Sequence, residues 1–154
     1  MIAGAVTIDG VRVVPLRRIE DDRGAVRLML KATDPNFSGF GEIYFSSVYP
    51  GVVKAWKYHR RMWANYACVL GRVRVVLYDD REESLTHGAL LELELDDREN
   101  YALVAIPPRV WHGFQGLGDP QSMLANCASE PSDPNELERR DPGDERIPYR
   151  WRET

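Results

Sequence analysis

The chain contains 154 residues, of which 44% are hydrophobic, and its formal net charge is -4. This length suffices for a single domain with a substantial core, and the acidic balance argues against nucleic acid as a partner. No run approaches the roughly 18 apolar residues of a membrane span, and residues 1–9 lack the basic start of a secretory signal. We therefore expect a cytoplasmic protein that binds neither nucleic acid nor membrane.

Taken in chain order, short β-prone segments separated by turn signals occupy most of the sequence. β-branched and aromatic residues enrich these segments, and residues 91–95 alternate strictly between leucine and glutamate, which is typical of a strand with one buried face. The predicted strands cover residues 11–16, 25–31, 42–49, 51–59, 65–70, 72–78, 91–95, 101–106 and 122–127. Many short strands with little helix predict an all-β sandwich or barrel.

The composition changes at Glu130, where a proline-rich tail begins. The prolines leave room only for a possible helical turn over residues 135–139. Tyr149 and Trp151 indicate that the end of the tail docks on the barrel, because exposed aromatic side chains gain nothing. We expect one domain over residues 1–154, with a core over about 11–129 and an irregular tail, 130–154, packed over it.

Two cysteines, Cys68 and Cys127, fall inside apolar strand-like segments. Their spacing does not suit a disulfide or a metal pair, so we expect buried thiols.

Two apolar stretches with basic residues, 51–59 and 106–114, are interpreted as facing walls of the barrel. Lys57, His59 and His112 would then converge in a polar pocket. His59 and His112 could also bind a metal, but a full site needs three or four nitrogen or oxygen ligands. The segment 62–64 offers no carboxylate, so we expect neither a metal nor another cofactor.

Three motifs in this order carry a family resemblance: Gly51-Val52-Val53-Lys54, then Gly71 with the valine-rich strand to Asp79, then Ile106-Pro107-Pro108 followed by His112-Gly113-Phe114. Together they resemble the dTDP-4-dehydrorhamnose 3,5-epimerase family, whose fold is a cupin, or double-stranded β-helix. The resemblance covers about residues 22–151 and implies a cupin fold and a homodimer. Further segments that fit the pattern are Asp22-Arg23-Gly24, Tyr44-x-Ser46 and Ile147-Pro148-Tyr149-Arg150-Trp151.

The chain departs from the family at the residues that carry its chemistry. In that family a histidine paired with an aspartate is the base, and its position here is Lys57. The tyrosine that returns a proton is missing, and its place is Ala125 by one alignment or Ser132 by another. His112 and Asp141 are retained. The resemblance therefore implies a divergent member without the usual base and acid.

Epimerisation next to a ketone needs a base on one face, an acid on the other and a stabiliser for the enolate. The Lys57 ammonium could stabilise an enolate. With a pKa lowered by burial and neighbouring cations, it could instead act as the base or form a Schiff base. The predicted catalytic residues are Lys57, His112 and Asp141.

Substrate contacts are predicted from the basic and aromatic side chains near this pocket. The resemblance implies that Arg23 meets the nucleotide diphosphate, and a guanidinium fork suits phosphate oxygens. Arg72 and Arg74 could line the mouth of the barrel or face water. The predicted contacts are Arg23, Lys54, His59, Tyr66, Arg72 and Arg74.

Two functions remain open at this point. The first is a sugar-nucleotide isomerase or epimerase that abstracts a proton next to the ketone of a dTDP-4-keto-6-deoxyhexose-like substrate. The alternative is a non-catalytic cupin module that binds a nucleotide sugar or another anionic small molecule. Loss of the tyrosine favours the module, and the retained basic pocket favours binding of an anion. A homodimer is expected in either case, because a free sheet edge is best closed by a partner.

Overall fold

A computed structural model describes residues 6–153, and every regular element in that range is a β-strand. The predicted all-β class is confirmed. The strands are β1 Arg12–Pro15, β2 Arg18–Asp21, β3 Gly24–Arg27, β4 Glu42–Val48, β5 Val53–His59, β6 Ala64–Leu70, β7 Arg72–Tyr78, β8 Leu90–Asp96, β9 Ala102–Ile106, β10 Trp111–Gly116, β11 Ser122–Ala128 and β12 Leu137–Arg139.

Ten of the strands form two five-stranded sheets, and every pairing is antiparallel. One sheet has the order β1-β9-β6-β11-β4, and the other has the order β12-β5-β10-β7-β8. β2 and β3 form a separate hairpin. Among residues 6–153 no helix is long and apolar enough to cross a membrane.

The core between the sheets follows from alternation along the strands. Val73, Val75 and Leu77 of β7 are fully buried in the main apolar cluster, whereas Val76 and Tyr78 pack in a second cluster on the opposite face. The two clusters follow from the alternation of side chains along a strand. Burying one such valine or leucine side chain contributes about 1.5–3 kcal/mol to folding.

The second cluster lies where the tail meets β5, β7 and β10. Its centre is Trp56, whose ring lies 5.1 Å from that of Trp151 and 6.1 Å from that of Tyr149. Ile147 is buried in the same cluster. The aromatic end of the tail therefore covers the outer face of β5. The inner face of the strand stays uncovered by these aromatic side chains.

The tail also contributes a strand where the sequence indicates a helical turn. Leu137–Arg139 forms β12 on the edge of the second sheet, with Leu137 opposite His59 and Arg139 opposite Lys57. The predicted helical turn over 135–139 is wrong, because the unpaired edge of β5 supplies hydrogen-bond partners that outweigh local preference. The strand β2 is also absent from the predicted set.

The two cysteines are free thiols, as predicted. Cys68 is buried, and burial raises the pKa of its thiol to about 12. Cys127 is only partly buried, on β11.

Candidate active site

Lys57 on β5 faces His112 on β10, and the two residues are register partners across the paired strands. Gly113 permits this close approach, since a Cβ there would collide with the side chain of Ala55. Lys57 is half-buried, and its ammonium makes no hydrogen bond or ion pair within residues 6–153. Burial, and then the charges of Arg139 and Lys54, lower the pKa of Lys57.

His112 is buried as a neutral imidazole. Its Nδ1 donates to the carbonyl oxygen of Val110 at 3.1 Å, so Nε2 is the unprotonated nitrogen. Burial first, then the charges of His59 and Lys57, lower the pKa of His112 to about 3. Its Nε2 has no hydrogen-bond partner in the described part of the chain. It is therefore a buried acceptor that no group of residues 6–153 satisfies.

His59 forms a buried pair with Glu136, a tail residue that sequence reasoning missed. The Nδ1 of His59 lies 2.5 Å from Oε1 of Glu136. The other carboxylate oxygen, Oε2, accepts hydrogen bonds from the backbone N–H groups of Arg61 at 3.0 Å and Met62 at 3.3 Å. Burial alone would raise the pKa of Glu136, but these hydrogen bonds and His59 lower it below its ordinary value. Glu136 is therefore held as an ionised carboxylate.

A cavity of about 680 Å³ opens between the inner face of β5, the start of β4 and the tail. Its lining carries more cations than carboxylates. The cations are Lys54, Lys57, Arg139, Arg140 and Arg146, and the carboxylates are Asp141 and Asp144.

Most of these cations lack an anionic partner. Arg146 is paired with Asp144 at 2.6 Å, but none of the other four cations has a carboxylate within 4 Å among residues 6–153. Lys54 donates instead to the hydroxyl of Ser46 at 2.9 Å and the carbonyl of Ser47 at 2.6 Å. Arg140 lies over the ring of Trp111, with its guanidinium carbon 4.1 Å from the ring centroid. This surface is suited to an anionic ligand.

A second cavity, also about 680 Å³, adjoins the first and shares Tyr44, Lys57 and Arg139 with it. His59 and Glu136 line this second cavity. Tyr44 comes from β4, which belongs to the opposite sheet from β5. The lysine therefore stands between a cavity rich in cations and a cavity lined by the histidine–carboxylate pair.

Two tyrosines stand on the wall opposite Lys57. Tyr66 is buried on β6 with its ring edge against His112, at a centroid distance of 5.5 Å. Burial, and then interaction with Tyr44, raise the pKa of the Tyr66 hydroxyl well above its ordinary value. The hydroxyl oxygen of Tyr44 also accepts a hydrogen bond of 2.9 Å from the side chain of Asn126.

The structure brings together part of the predicted site. Lys54, Lys57, Tyr66 and Asp141 line the first cavity, and His59 lines the second. His112 lies beside them, stacked on His59 with ring centroids 5.6 Å apart. Asp141 and Lys57 share a cavity but form no ion pair within the 4 Å limit.

Three predicted contact residues lie away from both cavities. Arg23 is exposed at the tip of the β2–β3 hairpin and pairs with Asp21 at 2.5 Å. Arg72 is exposed, with Glu94 3.8 Å away. Arg74 is buried, lines neither of the two cavities described above, and pairs with Glu92 and Glu94 at 3.3 and 3.2 Å.

The two alternative places for the missing tyrosine differ in position. On β11 Leu124 lines the first cavity and Asn126 reaches Tyr44, so Ala125 between them faces the other side of the sheet. Ser132 lines the second cavity and hydrogen-bonds Glu42. A side chain at position 125 in this register therefore points away from the first cavity.

No cluster of three or more histidine, cysteine, aspartate or glutamate side chains within residues 6–153 is placed to hold a metal ion.

Comparison with known proteins identifies the family. The family model for dTDP-4-dehydrorhamnose 3,5-epimerase matches residues 5–154. The chain belongs to this family. A solved dTDP sugar isomerase from Desulfovibrio desulfuricans is 43% identical and superimposes with a TM-score of 0.91, covering 96% of this chain and 95% of that one. The predicted family, cupin fold and epimerase class are thereby confirmed.

Two further relatives are similar in sequence. The probable low-salt glycan biosynthesis epimerase Agl13 of Haloferax volcanii is 40% identical over 119 residues, which are 75% of this chain and 68% of that protein. The spore coat polysaccharide biosynthesis protein SpsL of Bacillus subtilis is 34% identical over 148 residues, which are 94% of this chain and 96% of that protein.

Proposed function

We propose that this protein is a cytoplasmic epimerase that inverts a carbon next to the ketone of a dTDP-4-keto-6-deoxyhexose, in the biosynthesis of a polysaccharide or a deoxysugar. The observation that carries the proposal is the half-buried, unpaired ammonium of Lys57 at the junction of the two cavities. An ammonium held there without a carboxylate is costly unless a ligand supplies negative charge. The names of the similar proteins support the pathway class.

The diphosphate of the substrate would occupy the first cavity. Lys54, Arg139 and Arg140 are the cations free to contact it, since Arg146 is already neutralised by Asp144. Arg23 lines neither cavity of its own chain. It could therefore meet the diphosphate only from the hairpin of a partner subunit.

The ketone oxygen would lie beside Lys57. When the neighbouring C–H bond breaks, its electron pair moves onto this oxygen, and the ammonium stabilises the resulting enolate. His112 would support the site from behind, because it is buried, stacks on His59 and lines neither cavity. Asp141, in the same cavity as Lys57, would balance part of the positive charge when the site is empty.

We further propose a homodimer. β4 is an edge strand, and its outer face exposes Ile43 and Phe45 by 48% and 59%. The β2–β3 hairpin also exposes Ile19 and Val26. An unpaired edge beside apolar side chains suits an isologous contact. Light scattering at micromolar concentration should give a dimer, with Phe45→Lys shifted toward monomer, and a monomeric wild type would contradict the proposal.

The activity is tested by incubating the protein with dTDP-4-keto-6-deoxy-D-glucose in deuterium oxide and following the C3 and C5 protons by NMR. Deuterium incorporation with an inverted product at either carbon is expected, and incorporation at one carbon only would define a one-site epimerase. Thermal shift with the same compound is measured in parallel. Binding without any exchange would favour the alternative, a cupin module that binds the nucleotide sugar without chemistry.

A further inference from the structure

We propose that the proton is abstracted by His59, oriented by Glu136, and is returned to the opposite face of the sugar by Tyr44. The inference rests on the proposed epimerase function and deepens it by naming the two proton-transfer groups. It supplies a base in place of the one missing at Lys57 and an acid in place of the tyrosine missing at Ala125 or Ser132.

The hydrogen bond between His59 and Glu136 sets the tautomer of the imidazole. An ionised carboxylate only accepts hydrogen bonds, and Glu136 already accepts two from backbone N–H groups. Nδ1 of His59, 2.5 Å away, must therefore carry the hydrogen. This leaves Nε2 with a lone pair, and the only side-chain hydrogen bond of His59 among residues 6–153 is the one through Nδ1. A positioned histidine with a free nitrogen and a buried carboxylate behind it has the arrangement of a general base.

The other candidate bases are less well placed. His112 lines neither cavity and is buried behind His59 and Tyr66. Lys57 has neither a carboxylate partner nor a hydrogen-bond acceptor in the described residues, so it remains positioned as a cation. His87 lies in an exposed loop near Asp80. His59 is thus the histidine that combines access to a cavity with a carboxylate partner.

Tyr44 stands across the second cavity from His59, on the opposite sheet. Its oxygen accepts a hydrogen bond of 2.9 Å from the side chain of Asn126. Because the oxygen is the acceptor in that bond, the hydroxyl hydrogen of Tyr44 can be donated to a ligand. The Asn126 donor also stabilises the phenolate that forms when the hydrogen leaves.

The proton balance follows from this geometry. Nε2 of His59 takes the proton from the carbon next to the ketone, and the C–H electron pair forms an enolate whose oxygen faces Lys57. The enolate carbon then takes the hydroxyl hydrogen of Tyr44 on its other face, which re-forms the ketone with inverted configuration. The imidazolium of His59 and the phenolate of Tyr44 return to their starting states by exchange with solvent. No oxidant, reductant or further reactant is consumed.

The test compares three variants in the deuterium exchange assay with dTDP-4-keto-6-deoxy-D-glucose. His59→Gln and Glu136→Gln should each lower exchange by about 10²–10⁴-fold. Tyr44→Phe should retain exchange, because the base still acts, but should lose formation of the inverted product. His87→Gln and Glu138→Gln are matched controls, since both residues are exposed and lie outside the cavities. The controls should keep wild-type rates.

A second readout separates orientation from a purely structural role. Imidazole nitrogen NMR of the wild type should show the His59 hydrogen on Nδ1. In Glu136→Gln the amide can still accept from the backbone with its oxygen while its NH₂ donates to Nδ1, so the hydrogen should move to Nε2. A structural role for Glu136 alone would leave the tautomer unchanged. Urea unfolding of each variant shows that it is folded.

The outcomes separate this inference from the function on which it rests. Undiminished exchange by folded His59→Gln, while Lys57→Met abolishes exchange, overturns the assignment of the base and keeps the epimerase. A wild-type hydrogen on Nε2 of His59 also overturns it, whatever the activity. Loss of both exchange and product in Tyr44→Phe overturns the role of Tyr44 as the returning acid. Absence of exchange in the wild type overturns the proposed function, and the proton-transfer roles with it.

Discussion

The buried neutral histidine His112 makes a quantitative prediction about acid stability. Its pKa is 6.5 when unperturbed and about 3 in the native protein, so below pH 6.5 the unfolded chain binds a proton that the native chain does not. Stability contributed by this group is fully present above pH 6.5 and is lost as the pH falls toward 3. At about 1.4 kcal/mol per pH unit, the loss between pH 6.5 and 5 is about 2 kcal/mol.

Urea unfolding of wild type and His112→Gln near pH 7.5 and pH 5 measures this loss. The wild type should lose about 2 kcal/mol more than the variant over this range. Glu136, whose pKa is lowered from 4.5, contributes mainly below this window and cancels in the comparison. His87→Gln serves as the control for an exposed histidine and should follow the wild type. Equal losses in wild type and His112→Gln would refute the reasoning.

Three further predictions concern single side chains. Lys57→Met should lower the turnover rate by about 10²-fold or more, because the ammonium that stabilises the enolate is lost. The free energy of unfolding should not fall, because the ammonium that is removed is unpaired and half-buried. Kinetics and urea unfolding measure the two effects, and a clear loss of stability would contradict the second. Asp79→Asn should cost about 3 kcal/mol in urea unfolding, since the carboxylate is fully buried and Arg81 donates to it at 2.8 Å; a loss below about 1 kcal/mol would show that the pair contributes little. Gly113→Ala should lower stability by about 1–3 kcal/mol by differential scanning calorimetry, because its Cβ would lie 3.0 Å from Cα of Ala55; an unchanged melting temperature would mean that β5 can shift.

Strands with one buried face could be predicted from the sequence because their pattern is local. In β8 Leu91 and Leu95 are buried while Glu92 and Glu94 are exposed, as the strict alternation predicts. The fully apolar segment 102–106 is buried at every position. In both cases the side chains themselves carry the information about which face meets the core.

The role of Glu136 in the site could not be predicted, because no pattern in the neighbouring sequence distinguishes it from an exposed glutamate. A glutamate in a polar, proline-rich tail is ordinarily exposed, and its burial depends on His59 and on two N–H groups more than 70 residues earlier in the chain. The same holds for β12, whose pairing depends on the free edge of β5. The predicted position of Arg74, at the mouth of the barrel or facing water, also differs from the structure. Two glutamates of β8 pair with this arginine inside the fold.

The relation between positions 57 and 59 yields a last prediction. They lie on the same face of β5, about 7 Å apart along the strand, and the tail runs antiparallel beside them with Arg139 opposite Lys57. Asp141, two residues further along the tail, lines the cavity next to Lys57. A histidine at position 57 could therefore pair with the carboxylate of Asp141. This pair would lie two residues along β5 from the pair that His59 forms with Glu136.

Adding Lys57→His to His59→Gln should accordingly raise deuterium exchange about tenfold above that of His59→Gln alone. Recovery should stay well below wild type, because the ammonium that stabilises the enolate is lost. Asp141→Asn in the double variant should cancel the gain, whereas Glu138→Gln should not. The contrary outcome is a double variant that is folded and binds the substrate and yet shows no more exchange than His59→Gln. In that case the carboxylate of Asp141 does not reach position 57. The histidine–carboxylate pair then cannot be moved along β5 by changing these two side chains.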